Sequence, residues 1–444
     1  MSKSLCTTHH FSSVAHSAGL IAHLAGRMAT GGDEAHKIET TVRDILRNVQ
    51  DNSLEAVVAY TRQYDCPEFL PEMFAIQPEA LREASGRIPD VDREIIRKAA
   101  DRIRTFHAAQ KEKNWFSTDE YGVMLGQVVT PLDRVGLYVP GGKGGETPLI
   151  SSMLMNVIPA QVAGVREIAV VSPPGTDGTV NPYILAAAYE LGIVEVYACG
   201  SAWGIAALAY GAGPLAPVDL VAGPGNIWVT TAKKLLLGKV GIDMLAGPSE
   251  ICVIADETAR PEWVAADMLS QAEHDPLASA VCITTDPAVA EAVLAELAVQ
   301  VRSLPREDIA TKSLEDWGAM VIVPDLATAA ALANKLAPEH LELALADPWR
   351  VAGMVRHAGA VFLGNYAAES VGDYFAGPNH VLPTMGTARF SSGLSVATFC
   401  KKSNIIQISE SFTREHAGSI ARLARLEGLE GHARAVEVRL KHQE

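Results

Sequence analysis

Apolar residues recur at spacings of three and four from 34 to 113, as in VRDILRNVQ and REIIRKAADRIRTF, and that period predicts amphipathic helices. From Val135 the period changes. Short β-branched runs, VGLYV (135–139), EIAVVS (167–172), VEVYAC (194–199) and DLVAG (219–223), alternate with helical stretches. A second series follows LAGPSE: ICVIAD (251–256), AVCITT (280–285), AMVIVP (319–324) and AVFLG (360–364). Strand, helix, strand at this spacing means parallel βαβ units, so the expected class is α/β with two Rossmann-like parallel-sheet domains. The expected partition runs as follows: residues 1–134 as a helical segment of the larger domain, 135–247 as the second domain, 248–392 as the rest of the larger one. Residues 393–444 form a C-terminal arm. From Ser411 the pattern is helical again, with too little apolar surface for a core of its own, so the arm needs a surface outside itself, such as another subunit.

A chain of 444 residues exceeds one ordinary core, and no apolar run reaches the roughly 18 to 20 residues of a membrane span. The net charge of −15, with lysines and arginines scattered, argues against a nucleic-acid binder and favours a small-molecule ligand. Six cysteines show no CxxC spacing, and four sit in or beside strand-like runs, which suits buried thiols in a reducing compartment such as the cytoplasm. The first 30 residues carry His9, His10, His16 and His23 but neither an apolar core nor a basic leader. No signal peptide is expected, and this stretch reads as a disordered or surface start.

Ligand sites of open α/β sheets form where the carboxyl ends of strands give way to loops, so polar residues there are weighed first. Glu339 and His340 in APEHLEL suit a water activator beside a base, although an exposed turn with a satisfied histidine explains an isolated pair of this kind more often. Gln271 and His274 in LSQAEHDP stand three apart on one helix face. Asp373 and His380 share the Gly-Pro loop DYFAGPNH, and His432 follows Gly431 in EGLEGHARA, where a helix break would also account for it. Taken together, Gln271, His274, Asp373 and His432 offer two imidazoles, a carboxylate and an amide oxygen, a set zinc accepts. Spacing alone does not bring them together. YVPGGKGGE is no phosphate loop, because Gly144 follows Lys143 where Ser or Thr is required. GPGN at 223–226 stands between a strand and a helix without the GxGxxG order, and Ser249 of AGPSE lacks a nucleophile elbow.

In their order along the chain YVPGG, GPGN, DM-AGPSE, SQAEH, APEHLE, GDY-GPNHVLPT-GTARFSSGL and EGL-H resemble the histidinol dehydrogenase family, over nearly the whole length. The resemblance implies NAD-dependent oxidation of L-histidinol to L-histidine in two hydride transfers, the last steps of histidine biosynthesis. It implies a zinc ion held by Gln271, His274, Asp373 and the partner subunit's His432. His340 then matches the general base and Glu339 the water activator. Ser151, Ser249, His380 and, from the partner chain, Glu427 match substrate contacts, while Tyr138 and Asn226 match the NAD side. The arm is then the swapped segment of a homodimer with shared active sites.

Three departures lie on the NAD side. Trp203 in GSAWGIAALAYG stands where many relatives have a glutamine, so it either contacts the cofactor or merely packs. GGKGGETPL is longer than usual, and GKVGIDM shorter. Three other readings compete: an NAD-dependent dehydrogenase of another small polar alcohol such as a sulfonated diol, a zinc hydrolase, and a structural zinc protein. An anionic alcohol would call for an added cation near Ser151, for which Lys143 is the candidate.

Overall fold

The computed structural model describes residues 5–28, 32–141 and 147–440. Lys143 and most of its glycine loop lie outside them. Two six-stranded sheets organise the chain. The first runs Thr7–His10, Ala319–Ile322, Ser279–Thr284, Glu250–Ala255, His340–Ala344, Ala360–Leu363, with every neighbouring pair parallel. The second runs Ala75–Ile76, Glu195–Ala198, Glu167–Ser172, Arg134–Tyr138, Leu220–Ala222, Gly241–Ile242, parallel apart from the short Ala75–Ile76 edge. All eight β-branched runs of the sequence are strands, because helices cover both faces and such strands must be apolar throughout.

The structure corrects the sequence reading in four places. His340–Ala344 is a fully buried central strand between Glu250–Ala255 and Ala360–Leu363, not just an apolar run after a turn. Residues 5–28 are ordered, although His10, His16 and His23 stay exposed: Thr7–His10 forms an edge of the first sheet, and Leu20 and Leu24 of helix Ala18–Ala25 enter the core of that sheet. Helices Gly32–Tyr64, Pro78–Arg87 and Asp90–Ala108 share a core with the second sheet, through residues such as Val49, Leu81 and Ile103, and do not belong to the larger domain. The first of them breaks at Ser53, whose φ of 49 is left-handed. Fourth, an antiparallel sheet absent from the sequence reading joins Trp115–Thr118, Met124–Pro131 and Cys400–Gln407. Its residues are mostly exposed, so they carry little hydrophobic pattern.

The arm continues from that sheet into helices Glu410–Leu426 and Glu430–Glu437, which turn at Gly428 in the left-handed region (φ 77). Among the described residues only alanines, Ala421, Ala424 and Ala433, form a buried cluster between them. Leu423, Leu426, Leu429 and Ile406 are exposed. Among the described residues no helix is long and apolar enough to cross a membrane.

Candidate active site

The predicted acid–base residues sit at the amino edge of the first sheet, opposite to the edge that the general rule for open sheets indicates. His340 opens its strand and pairs with Ile251 on one side and Ala360 on the other. Glu339 precedes it, and Glu250 begins the neighbouring strand. The Glu250 N–H donates to Glu339 Oε2 (3.0 Å), and the Glu339 N–H donates to Glu250 Oε2 (3.3 Å). Arg27, buried, forms an ion pair with Glu250. Each carboxylate thus borrows the other's backbone donor, which satisfies groups that water cannot reach.

His340 Nδ1 lies 3.1 Å from the Glu250 carbonyl oxygen. A carbonyl only accepts, so Nδ1 carries the proton and Nε2 presents a lone pair. That Nε2 is buried and has no hydrogen-bond partner among the described residues. It lies 4.0 Å from Asp373 Oδ1. Burial holds the imidazole neutral, pulling it down to about 3, against the Glu250 carbonyl contact that favours the charged form. Burial and then the Glu250 charge push the Glu339 carboxyl far above the ordinary range. Two neighbouring groups are therefore driven apart in proton affinity, an arrangement suited to proton transfer.

Helix Pro261–Ala272 delivers Gln271 from its last turn, and the His274 N–H returns to the Gln271 carbonyl (3.2 Å). Gln271 has no exposed surface, yet neither amide atom finds a partner among the described residues. An unsatisfied buried amide costs about 1–3 kcal/mol per group, so this side chain is shaped for something not of the chain. Ligand atoms of His274, Glu369 and Asp373 lie within 4.8 Å of one another. Nitrogen and oxygen donors in that arrangement fit zinc. Burial pushes the Asp373 carboxyl up to about 6 in spite of His274.

Asp373 belongs to a single π-type turn, Gly372–Ala376, that ends at Gly377. Gly377 has φ 116, and a Cβ there would stand 2.9 Å from the Arg102 carbonyl oxygen, so glycine is required. Beyond it Asn379 Nδ2 donates to the Met155 carbonyl (2.6 Å), tying this loop to helix Ile150–Ala163 of the other domain. That brings the His380 ring onto the Ser151 backbone, with His380 Nε2 buried and without a hydrogen-bond partner among the described residues. His340, Asp373 and His380 line one cavity of about 480 Å³. Ser249 immediately precedes Glu250, and its carbonyl accepts from the Ser279 N–H (3.1 Å).

The residues expected on the NAD side lie at the carboxyl edge of the second sheet. The Tyr138 hydroxyl accepts from the Ser201 N–H (3.3 Å). Asn226 caps helix Ile227–Leu236, accepting from the Trp228 and Val229 N–H groups, and stays exposed. Trp203 is buried, donates to Thr61 Oγ1 (3.2 Å) and stacks against Tyr60 and Tyr64. The ring packs against helix Gly32–Tyr64 and has no free face for a cofactor. Glu427 and His432 are exposed on the arm, in helices whose main packing is on each other, so the single chain does not bring them to the cluster.

A family model described as histidinol dehydrogenase matches residues 29–440. The chain belongs to the histidinol dehydrogenase family. The histidinol dehydrogenase of Nitratidesulfovibrio vulgaris is 60% identical over 420 residues, covering 95% of each chain. That of Oleidesulfovibrio alaskensis is 58% identical over 435 residues, covering 98% of this chain and 99% of the other. A crystal structure of histidinol dehydrogenase from Elizabethkingia anophelis superposes with a TM-score of 0.92 at 35% identity, covering 99% of both chains. As a member of the histidinol dehydrogenase family the chain is an enzyme, an oxidoreductase.

Sequence reasoning missed Arg27, Glu250 and Glu369. Glu250 was visible as the last residue of AGPSE, and Glu369 stands four residues before Asp373, a spacing that puts both on one helical face. Arg27 left no signal, because its partner is 223 residues away.

Proposed function

We propose that this chain oxidises L-histidinol to L-histidine through the aldehyde, passing two hydrides to NAD, with zinc bound by Gln271, His274, Asp373 and the partner subunit's His432. The observation that carries this reading is the unpartnered Nε2 of a neutral His340 beside Asp373, with Glu339 as its buried neighbour. Zinc supplies positive charge that anchors an imidazole and an amine. His340 Nε2 accepts the hydroxyl proton as the hydride leaves carbon for NAD, which gives the aldehyde. Glu339 draws a proton from water as the water oxygen adds to the aldehyde carbon, the protonated His340 gives its proton to the aldehyde oxygen, and the hydrate forms with the imidazole neutral again. His340 then takes the proton of the hydrate as the second hydride leaves, and the acid is formed. A neutral imidazole is required at both hydride steps, and burial provides it.

His380 and Ser151, joined across the domains, and Ser249 are positioned to hold the substrate, with Tyr138 and Asn226 on the cofactor side. Glu427 and His432 fit a homodimer in which the arm crosses to the neighbouring subunit: the arm's exposed leucines and alanine-only core call for an outside surface. The test is NADH formation from L-histidinol, with two NADH expected per substrate. Loss of activity on chelation and its return with zinc are expected. A chain that reduces NAD with another alcohol and not with histidinol would overturn the reading.

A further inference from the structure

Glu369 has no role in the mechanism above, yet it stands at the centre of the charged cluster. It is almost entirely buried. Its Oε2 accepts from the Ser270 hydroxyl (3.2 Å), its Oε1 lies 3.6 Å from His340 Nδ1, and its own N–H donates to Glu342 Oε1 (2.7 Å). Its carboxylate also meets the ligand atoms of His274 and Asp373 within 4.8 Å.

The surrounding charges make this placement costly. Burial first, and then the like charges of Asp373 and Asp267, push the Glu369 carboxyl well above its ordinary range. Behind it Asp267 and Glu342 are hydrogen-bonded carboxyl to carboxyl, an arrangement that requires a shared proton and leaves one negative charge on the pair. Among the described residues no lysine or arginine forms an ion pair with Glu369, and His340 is neutral. Without a countercharge such a carboxyl keeps its proton, and it carries a charge only with a cation from outside the chain beside it, a place that its approach to the ligand atoms of His274 and Asp373 provides. The amide of Gln271 and the imidazole of His274 bring no negative charge to a metal. Asp373 brings one, which leaves a divalent ion half neutralised.

We propose that Glu369 is the second anionic group of the metal centre, its charge together with that of Asp373 balancing a divalent ion bound beside Gln271 and His274. The proposal rests on the metal reading given under the proposed function. Glu369 acts as a positioning and charge-balancing residue, and no proton or hydride passes through it.

Glutamine at this position keeps the length, can meet Ser270 and removes only the charge, whereas aspartate keeps the charge. Zinc affinity of the metal-stripped full chain, measured by competition with a chromophoric chelator, should fall by about 10–100-fold in Glu369→Gln and lie closer to wild type in Glu369→Asp. A folded Glu369→Gln chain with wild-type zinc affinity overturns the proposal. A wild-type chain that binds neither zinc nor cobalt overturns it together with the metal reading, which keeps the two failures apart. If Glu369→Gln does not fold, a zinc-loaded wild-type crystal structure decides. The Glu369 carboxylate within about 6 Å of the ion supports the proposal, and the same carboxylate farther away overturns it.

Discussion

His340 donates its Nδ1 proton to the carbonyl oxygen of Glu250, 3.1 Å away across the first sheet. One backbone contact thereby fixes the tautomer of a side chain on another strand and leaves Nε2 facing the cavity. Ile251 is in register with His340, so the sheet holds the contact in place.

Replacing His340 by alanine should lower kcat by roughly 10²–10⁴-fold, the usual contribution of a general base, while zinc content and the circular dichroism spectrum stay at wild-type values. Near-normal turnover in such a variant would remove His340 from the proton path.

Mixing inactive His340→Ala and His432→Ala chains under subunit exchange should restore activity. Random pairing makes half of the dimers hybrids, and one of the two sites in each hybrid has both residues, so recovery of about a quarter of wild-type activity is expected. Proven exchange without recovery would show that the site is not shared.

Trp203 should matter to stability and not to the cofactor. Trp203→Phe keeps a ring between Tyr60 and Tyr64 and loses the hydrogen bond to Thr61. A destabilisation of about 1 kcal/mol in urea unfolding is expected, with KM for NAD unchanged. A several-fold rise in that KM would contradict the packing role.

Asp65 predicts a pH dependence. Burial pushes its carboxyl from 3.8 up to about 7, and Oδ2 has no partner among the described residues. Between about pH 4 and pH 7 the folded chain keeps a proton that the unfolded chain releases, so stability falls as pH rises through that window, and the penalty is complete above it. Asp65→Asn should therefore match wild type near pH 4 and exceed it at pH 8, by on the order of 1–2 kcal/mol after allowance for residual solvent. Melting curves that differ equally at both pH values would refute this.

The sequence by itself determined the α/β class, eight strands to within two residues and the order of the motifs, because local periodicity reports which face of each segment is buried. It also named Gln271, His274, Glu339, His340, Asp373 and His380, since these fall in motifs of ordered residues. It did not reveal the exposed antiparallel sheet, whose solvated residues carry no periodic signal, nor that Thr7–His10 completes the first sheet. Only the tertiary structure decided which sheet edge holds the chemistry. It alone joined Arg27 to Glu250 and Asn379 to Met155, set Trp203 against Thr61 and brought Glu369 beside His274. Those pairings join residues far apart in sequence, and they follow from strand order and packing, which act between segments and leave no mark on the local pattern of either one.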